Sequence, residues 1–505
     1  MRRLFTLLLV ALAVGAARAT DYNVPMTVTV NGTSTEQTAV FTIEENAGLY
    51  DISLKNFVLE SENGPMGVGN VELKGIESRR DGDAILFVAN DRVTMTAGDD
   101  PNVAFWMASI LPPVDVLLRG KIEGDRLRCY IDIDLTETLQ QVIQVSIGEG
   151  YQVPNASFEA WHISSGANVE PNAWHSFESA SGEMAGMVAI TGTHIGMSDD
   201  YHSGTASARI FASSIFGIVA NGTMTTGRMN AGAMDATSTA NHAYLDMSML
   251  DVDGNGDPFY VPLYSRPDSV AVWVKFMQGT PNSAHPYATI SAVITDGTRY
   301  QDPEDKAYTN VVAKAINNKI AVTNGEWVRV TAPFVYTENA VDPKAVLITV
   351  STNADAGQGS DGDEVLVDDI ALIYNAKVNG LKVKGESVPG FSSEKSAYEM
   401  ELNQEITADD IEVDVDGQMP HVLKTVEVDG DYYVCNVLVF SADMSVMSAY
   451  VVRVKSSATA IRSVEAVSRQ PATYYTLDGR QVTSLMRGRV YICRQADGTV
   501  TKIRY

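Results

Sequence analysis

The sequence predicts an all-β protein of several domains, and three observations lead to that prediction. Apolar and polar residues alternate in short runs along most of the 505 residues, which is the pattern of strands buried on one face. Gly, Asn, Asp and Ser recur between the runs, which favours tight turns. The chain is also too long for a single hydrophobic core, so its length favours three or four domains.

The first 19 residues have the features of a secretory signal peptide. Arg2 and Arg3 precede an apolar run that is too short to span a bilayer, and Ala17-Arg18-Ala19 fits the cleavage pattern. An N-terminal membrane anchor is the alternative. No cysteine precedes Cys129, so the lipid-modified cysteine of a lipoprotein is absent. We therefore expect export, cleavage after Ala19, and a location at the outer surface or outside the cell.

Charge and cysteine content exclude several classes of function. The net charge of −26 argues against nucleic-acid binding, which needs clustered Lys and Arg, and suits a solvated extracellular protein. Cys129, Cys435 and Cys493 lie far apart, so we expect lone buried thiols rather than a disulfide framework or a zinc site. No later segment approaches about 18 consecutive apolar residues, and no transmembrane segment is expected in the mature chain.

Residues 20–150 are predicted to form the first domain, a closed antiparallel barrel or a sandwich. Asn31-Gly32 separates two alternating runs, and both residues tolerate the positive φ of a two-residue hairpin turn. Closure into a barrel would also leave no unpaired edge strand. Strand-like runs cover residues 26–30, 39–43, 49–54, 68–76, 84–88, 92–96, 114–119, 127–135 and 142–147.

Several segments of this domain resemble a known family. "MTVTVNG", "YDISLKNFVL", "VGNVELKGI", "TAGDDPN" and "CYIDIDLTETLQQVIQVSIG" resemble the calycin-like β-barrel domain of exported proteins in the bacterial phylum that uses type IX secretion. The resemblance implies a lipocalin-like barrel, and such barrels often hold a small apolar ligand in the mouth. The alternative is a barrel filled by its own side chains.

The second predicted domain spans residues 151–375, and its first four residues, 151–154, are expected to form a short linker. It holds four of the five tryptophans and six of the seven histidines, and no amphipathic helical pattern longer than about three turns stands out in it. Interior strands with polar connections favour a β-sandwich. Trp273 lies in the run Val-Ala-Val-Trp-Val and is expected in the core. Strand-like runs cover residues 207–211, 242–249, 269–277, 287–294, 327–335 and 346–350.

This second domain carries another resemblance. "PNASFEAW", "PNAWHSF", "YHSGTASARI", "WVRVTAPFVY" and "LVDDIALIY" look like the putative carbohydrate metabolism domain of the same bacteria. Their order along the chain is also similar to that of jelly-roll carbohydrate-binding modules. The resemblance implies a jelly-roll sandwich that binds a polysaccharide or another glycan.

Two further segments complete the predicted organisation. Residues 376–457 resemble the cadherin-like or immunoglobulin-like (Ig-like) β-sandwich spacers of surface proteins. Residues 461–505 contain eight basic and three acidic residues. The segments "YYTLDGRQV", "RGRVYICR" and "VTKIRY" resemble the C-terminal sorting domain that the type IX secretion machinery recognises. A basic patch facing that machinery fits this charge, and an ordinary small β-module is the alternative.

Aromatic residues of the second domain are the predicted carbohydrate ligands. Jelly-roll modules stack aromatic rings on the apolar faces of sugars and bind the hydroxyls through amides and carboxylates. For any single residue, packing in the core or in a turn is the alternative. The predicted residues are Trp161, Trp174, Tyr201, Tyr260, Tyr264, Tyr287 and Tyr300.

Three acids of the same domain are predicted to hold a structural Ca²⁺. Glu159 stands early in the domain and Asp368 and Asp369 stand on its last predicted strand, and in related jelly rolls these strands are neighbours. A hard cation needs several oxygen ligands; the alternative is that these carboxylates bond to backbone amides or water. The loop from Asp251 to Asp257 begins like an EF-hand, but Pro262 replaces the twelfth-position Glu, so we predict a hairpin turn.

The sequence shows no catalytic signature and implies no organic cofactor. It has no Gly-x-Ser-x-Gly or His-Glu-x-x-His motif and no Gly-rich phosphate loop, and the histidines of the second domain lack the spacing of metal ligands. We therefore expect an exported carbohydrate-binding protein. A glycoside hydrolase or lyase on the same domain is one alternative, and a structural or adhesive surface protein is the other.

Overall fold

The computed structural model describes residues 18–46, 48–59, 64–136, 140–164, 168–189, 194–215, 217–339 and 341–455, together with 473–475, 481–482, 490–494 and 500–504. The predicted all-β fold is confirmed: within these ranges the helical elements are short and include α1 (Ala185–Ala189) and two 3-10 turns, Met107–Ser109 and Ala408–Asp410. No helix in the described part of the chain is long and apolar enough to cross a membrane. The predicted signal peptide lies outside the described residues except for Arg18 and Ala19, and most of the predicted sorting segment lies outside them as well.

The first eight strands form a closed antiparallel barrel. They are β1 (Arg18–Val30), β2 (Thr33–Asn46), β3 (Leu49–Leu59), β4 (Met66–Asp81), β5 (Ala84–Val93), β6 (Val114–Glu123), β7 (Arg126–Leu135) and β8 (Gln141–Ile147). Each strand pairs with the next, and β1 also pairs with β8 from Met26↔Ile147 to Val30↔Ile143. This last pairing closes the sheet and decides for a barrel over a sandwich.

One predicted barrel strand is wrong. The run 92–96 is divided: Arg92 and Val93 end β5, and Thr96 makes an isolated bridge with Asn70. The inward side chains form one buried apolar cluster, in which Phe41 is 2% and Phe87 1% exposed. The ring of Phe87 occupies the space beside Gly120, where an added Cβ would lie 2.2 Å from a ring carbon.

The central part of the chain is a β-sandwich. Besides α1, its elements before residue 376 are β9 (Trp161–Ile163), β10 (Val169–Pro171), β11 (Ile195–Ser198), β12 (Ser207–Phe211), β13 (Ser213–Ile215), β14 (Ile218–Ala220), β15 (Thr223–Thr225), β16 (Arg228–Ala231), β17 (Asn241–Leu245), β18 (Val261–Pro262), β19 (Ser269–Met277), β20 (Ala288–Thr295), β21 (Tyr300–Asp302), β22 (Val311–Ile320), β23 (Val328–Pro333), β24 (Val335–Tyr336), β25 (Ala345–Ser351) and β26 (Glu364–Ile373). One sheet has the order β11-β12-β26-β19-β23, and the other has the order β15-β25-β20-β22-β24, with β18 beside β25. The main core contains Val272 and Val274 of the first sheet and Ile290 and Ile348 of the second, so the two sheets pack face to face.

Smaller sheets complete the chain. The strands are β27 (Lys377–Val383), β28 (Glu386–Ser387), β29 (Ala397–Glu401), β30 (Ile411–Asp416), β31 (His421–Asp429), β32 (Tyr432–Phe440), β33 (Met447–Lys455), β34 (Thr473–Tyr475), β35 (Gln481–Val482), β36 (Val490–Arg494) and β37 (Val500–Arg504). They form three sheets with the orders β28-β27-β30, β29-β33-β32-β31 and β35-β34-β36-β37. In the central domain, the strands β16-β17-β21 and the pairs β9-β10 and β13-β14 form further small sheets.

The chain forms two compact units. The first comprises residues up to Asn379 with Asp414–Leu423 and Leu438–Ser448; the second comprises Gly380–Val413, Lys424–Val437 and the residues from Ala449 onward. Within the first unit, Phe440 and Met444 pack on Ala84 and Leu86 of the barrel. The predicted domain boundaries at 150, 375 and 457 stay predictions.

Two predicted thiols are confirmed. Cys129 and Cys435 are free and buried, as lone apolar cysteines commonly are. Burial raises the pKa of the Cys435 thiol to about 11, so at neutral pH it stays protonated and unreactive.

Candidate functional site

Two of the predicted carbohydrate ligands are core residues, so the prediction is wrong for them. Trp174 is fully buried, its ring packs 5.3 Å from that of Phe158, and its indole nitrogen donates to the carbonyl of Pro154 at 3.3 Å. Tyr300 is 1% exposed and packs against Tyr308 at 4.9 Å. Neither ring has a face free for a sugar.

The other five predicted aromatics do not form one platform. Trp161 is half-buried and donates from its indole nitrogen to the carbonyl of Phe158 at 2.6 Å. Tyr260 packs on a small core cluster, and Tyr264 lies 4.7 Å below the guanidinium of Arg126. The remaining two, Tyr201 and Tyr287, are exposed.

Trp273 lies on the outer face of its strand, which corrects the expectation that it is a core residue. Along β19 the side chains of Val272 and Val274 enter the core, so the residue between them points the other way. His202 stacks on the Trp273 ring at 3.8 Å and lies 6.2 Å from the ring of Trp327. The structure thus places an aromatic cluster on the outer face, but the imidazole of His202 covers it.

The three predicted calcium ligands all hold one loop, residues 202–206. Glu159 accepts hydrogen bonds from the amide of Thr205 at 2.9 Å and from its hydroxyl at 2.5 Å. Asp368 accepts from the amides of His202 at 2.8 Å and Ser203 at 3.1 Å. Asp369 accepts from the hydroxyl of Ser203 at 2.8 Å and pairs with the imidazole of His202 at 2.6 Å.

Asp368 is fully buried, and its environment perturbs its ionisation. Burial and the neighbouring charge of Asp369 raise the pKa of Asp368 to about 7, although three backbone amides oppose the shift. The three acids therefore have protein donors as partners, which was the alternative to a metal site. The calcium site stays a prediction.

A groove of about 420 Å³ opens on the outer face of the β20 and β25 sheet. Strand alternation explains its polar floor. Ile290 and Ile348 point into the core, and their neighbours Thr289 and Thr349 therefore face the groove. Its walls come from α1, β14, β16, β17 and the loop at 353–357.

The groove wall combines methionines with a few other apolar side chains. Methionine is flexible and polarisable and adapts to irregular ligand shapes. One aromatic ring, Phe177, stands among the described lining residues. The apolar lining residues include Phe177, Met184, Met187, Ile218, Met229, Met234 and Ile316.

Two polar atoms of the groove lining are buried without a hydrogen-bond partner. They are Oδ1 of Asn221 and Nε2 of His242. The Nδ1 of His242 lies 2.9 Å from the carbonyl oxygen of Thr239, so Nδ1 donates and Nε2 is left as an acceptor. Burial lowers the pKa of His242, which keeps the ring neutral at pH 7. Both free positions therefore accept hydrogen bonds.

Other polar groups of the lining are already paired. Asp302 accepts from the hydroxyl of Ser291 at 2.6 Å, and the side-chain oxygen of Asn318 accepts from the hydroxyl of Thr289 at 2.7 Å. These bonds fix the floor of the groove in one arrangement. The two unpaired acceptors belong to residues of the same lining.

The comparison with protein families concerns the barrel. Its eight strands, closed by the β1–β8 pairing, lie within the matched residues except for Arg18 at the start of β1. Residues 19–147 are a calycin-like beta-barrel domain. This confirms the predicted family for the first domain. The comparison with curated proteins gives no match.

None of the seven predicted aromatics lines the groove. Its floor comes from the predicted strand runs 287–294 and 346–350, whereas much of its wall comes from residues 218–236 and 353–357, which lie outside the predicted strands and the recognised motifs. The sequence does contain one feature that could have indicated the groove. Met184, Met187, Met229 and Met234 lie in segments rich in Gly and Asn, where ordinary loops carry few large apolar side chains.

Proposed function

We propose that this protein is an exported cell-surface or secreted carbohydrate-binding protein that captures a glycan in the central groove. The observation that carries the proposal is the pair of buried, unpartnered acceptors, Asn221 Oδ1 and His242 Nε2, in the lining of a groove. A buried acceptor without a partner is costly, and a ligand rich in hydroxyl groups supplies donors for both.

The shape and composition of the groove support the same ligand class. Its volume of about 420 Å³ lies in the usual range for small-ligand sites. A sugar ring carries hydroxyls at its edge and C–H groups on its faces, and the groove offers polar groups on its floor and methionines on its walls. The resemblance of the central domain to carbohydrate-binding modules points the same way.

One feature of the groove favours glycan binding over glycan hydrolysis. A second feature favours the groove over the outer face of the other sheet as the binding site. A glycosidase commonly uses two carboxylates, and in the described lining Asp302 is the carboxylate, already bonded to Ser291. The aromatic cluster at Trp273 is covered by His202. A hydrolase or lyase, and a structural or adhesive protein, therefore remain alternatives that the binding experiment decides.

The proposal includes export and surface display. It rests on the leader-like N-terminus, on the excess of basic residues in 461–505, and on the resemblance of that segment to sorting domains of type IX secretion. In this arrangement the residues resembling an Ig-like sandwich serve as a spacer. The barrel serves as an accessory domain.

The test is a glycan array probed with the mature full-length protein, followed by titration calorimetry with the glycans it retains. Ile316→Trp places a bulky ring in the groove from a half-exposed position, and we expect at least roughly a tenfold loss of affinity. Asn221→Ala and His242→Ala should each cost roughly twofold to tenfold, the value of one hydrogen bond.

The matched control is Met277→Trp, a substitution of a similarly exposed residue at the end of β19 in the opposite sheet. It should leave affinity unchanged. Retention of no glycan by the wild type, or equal affinity of the Ile316→Trp variant, contradicts the proposal. Cleavage of a bound glycan would favour the hydrolase, and self-association without glycan binding would favour the adhesive protein.

A further inference from the structure

Four side chains from separate parts of the central domain meet beside the β9–β10 hairpin. His162 of β9 lies opposite Glu170 of β10 in the strand pairing. Asp251 approaches from the turn that follows β17, and ligand atoms of His162, Glu170 and Asp251 all lie within 4.8 Å of one another. His175 follows β10, and its Nδ1 lies 3.7 Å from Oδ2 of Asp251.

Three of these groups are buried and His162 is half-buried, and one atom of each lacks a hydrogen-bond partner. Glu170 and His175 are fully buried and Asp251 is 4% exposed. The atoms without a hydrogen-bond partner are His162 Nε2, Glu170 Oε2, Asp251 Oδ2 and His175 Nδ1. Two carboxylates in such a place need a compensating charge.

Hydrogen bonds on the far side of each imidazole fix which nitrogen is free. Nδ1 of His162 lies 3.1 Å from the side-chain oxygen of Asn172, which also accepts from Asn255. Nε2 of His175 lies 3.3 Å from the carbonyl oxygen of Pro258. Both acceptors require a donating N–H, so in the neutral form of each ring the nitrogen that faces the carboxylates carries a lone pair. This is how proteins orient metal-binding histidines.

We infer that His162, Glu170, Asp251 and His175 bind a divalent transition-metal ion, with Zn²⁺ the best fit. All four free atoms offer electron pairs, and in this arrangement none donates a proton to another, so a cation satisfies them together. Two imidazoles and two carboxylates match the ligands and the charge that Zn²⁺ takes, whereas Ca²⁺ takes oxygen ligands alone.

The distances and the surroundings fit this ion. Bonds of about 2.0–2.2 Å in a tetrahedron place ligand atoms about 3.4 Å apart. The ligand atoms of His162, Glu170 and Asp251, which lie within 4.8 Å of one another, need modest closing, whereas His175, 3.7 Å from Asp251 but outside that group, must move toward the other two ligands. The second oxygen of Glu170 accepts from the amide of Ser176 at 2.7 Å and from its hydroxyl, which orients the carboxylate. A Cβ on Gly254 would lie 2.3 Å from Oδ2 of Asp251 and 3.1 Å from Nε2 of His162, so only glycine leaves this space open.

The ion would tie the β9–β10 hairpin to the turn at 251–257, which is otherwise remote in sequence. Its role is therefore structural. The inference does not depend on glycan binding, because none of the four ligands lines the groove. It also differs from the predicted calcium site, which uses Glu159, Asp368 and Asp369.

The test uses the full-length protein, stripped with a chelator and titrated with Zn²⁺, Co²⁺ or Ca²⁺ alone. We expect one equivalent of Zn²⁺ to bind and to raise the melting temperature. Bound Co²⁺ should show the d–d absorption of a tetrahedral site with nitrogen and oxygen ligands. Absence of stoichiometric Zn²⁺ binding by the wild type, or a Co²⁺ spectrum of an octahedral all-oxygen site, overturns the inference.

Variants locate the ion. His162→Ala and Asp251→Asn should lose the equivalent of Zn²⁺ and the thermal shift, with folding checked by circular dichroism. His285→Ala is the matched control, because His285 pairs with Asp355 at the surface at 2.7 Å; it should retain both. If the His162 and Asp251 variants fold and still bind one equivalent, the ion lies elsewhere and the assignment is wrong.

Discussion

Trp174 and Tyr287, two aromatic residues of the central domain, differ strongly in exposure. Trp174 is fully buried in the main core, whereas Tyr287 is 37% exposed. Trp174→Ala should lower the free energy of unfolding by about 3–5 kcal/mol, because it removes a large buried side chain and leaves a cavity. Tyr287→Ala, the control, should cost less. Equilibrium denaturation followed by circular dichroism measures both, and equal losses would show that Trp174 is not a core residue.

His421 should make stability depend on pH. Its ring lies 2.8 Å from Asp81 and 3.3 Å from Lys121, and burial, with the charge of Lys121, lowers its pKa although Asp81 opposes the shift. Below about pH 6.5 the unfolded chain binds a proton that the folded chain binds less readily, so the free energy of unfolding falls as pH falls through that range. Burial lowers the pKa of His194 and His242 too, and both add to the same trend.

The variant His421→Asn isolates that contribution. Melting curves between pH 8 and pH 5 should show a smaller loss of stability in the variant than in the wild type. An identical pH dependence in both proteins would mean that His421 does not titrate as its surroundings indicate.

Individual residues show where sequence reasoning reaches its limit. The run around Trp273 is apolar at every position, so it carries no alternation from which to decide which side faces inward. The proposed metal site could not be predicted from the sequence, because its four ligands have no regular spacing along the chain. A hairpin and a turn remote from it in sequence bring them together. The motif positions of Trp174 and Glu159 were recognised, but a motif does not reveal whether a side chain packs or binds.

At the scale of elements, the loop at 202–206 is the clearest test of the calcium prediction. Glu159, Asp368 and Asp369 hold it through hydrogen bonds. We expect added Ca²⁺, at saturating Zn²⁺, to raise the melting temperature of the wild type and not of Asp369→Asn. A ligand at a hundredfold excess over its Kd stabilises by about 2.7 kcal/mol. Unchanged melting of the wild type would leave the three acids as hydrogen-bond acceptors for the loop.

Long strands were predictable and short ones were not. β12 and β19 cover the residues of two predicted runs, because several alternating or apolar positions in a row carry the signal. β9, β10 and β13 to β16 have three or four residues each, which is too few for an alternating pattern to stand out in the sequence. The walls of the groove depend on these short strands, so the groove could not be predicted.

At the scale of the molecule, the barrel and the sandwich belong to one compact unit. The amide of Asn155 donates to Glu36 of the barrel at 3.2 Å, and the ammonium of Lys121 lies 5.3 Å from the ring of Tyr151. Arg128 of the barrel and Asp443 form a buried ion pair with a separation of 3.6 Å.

Deleting residues 461–505 should prevent surface display. If the basic segment is read by the type IX secretion machinery, the shortened protein should accumulate in the periplasm with an unchanged circular dichroism spectrum. Cell fractionation and surface labelling measure its location. Surface display equal to that of the full-length protein would show that the segment is an ordinary β-module.

The central claim, glycan capture in the groove, is tested most directly by a crystal structure of the full-length protein with the glycan that the array identifies. The account predicts density for a sugar in the groove, with hydroxyls donating to Oδ1 of Asn221 and Nε2 of His242 and a ring face against the methionines. A sugar bound instead at Trp273 and Trp327, or in the barrel, would contradict it.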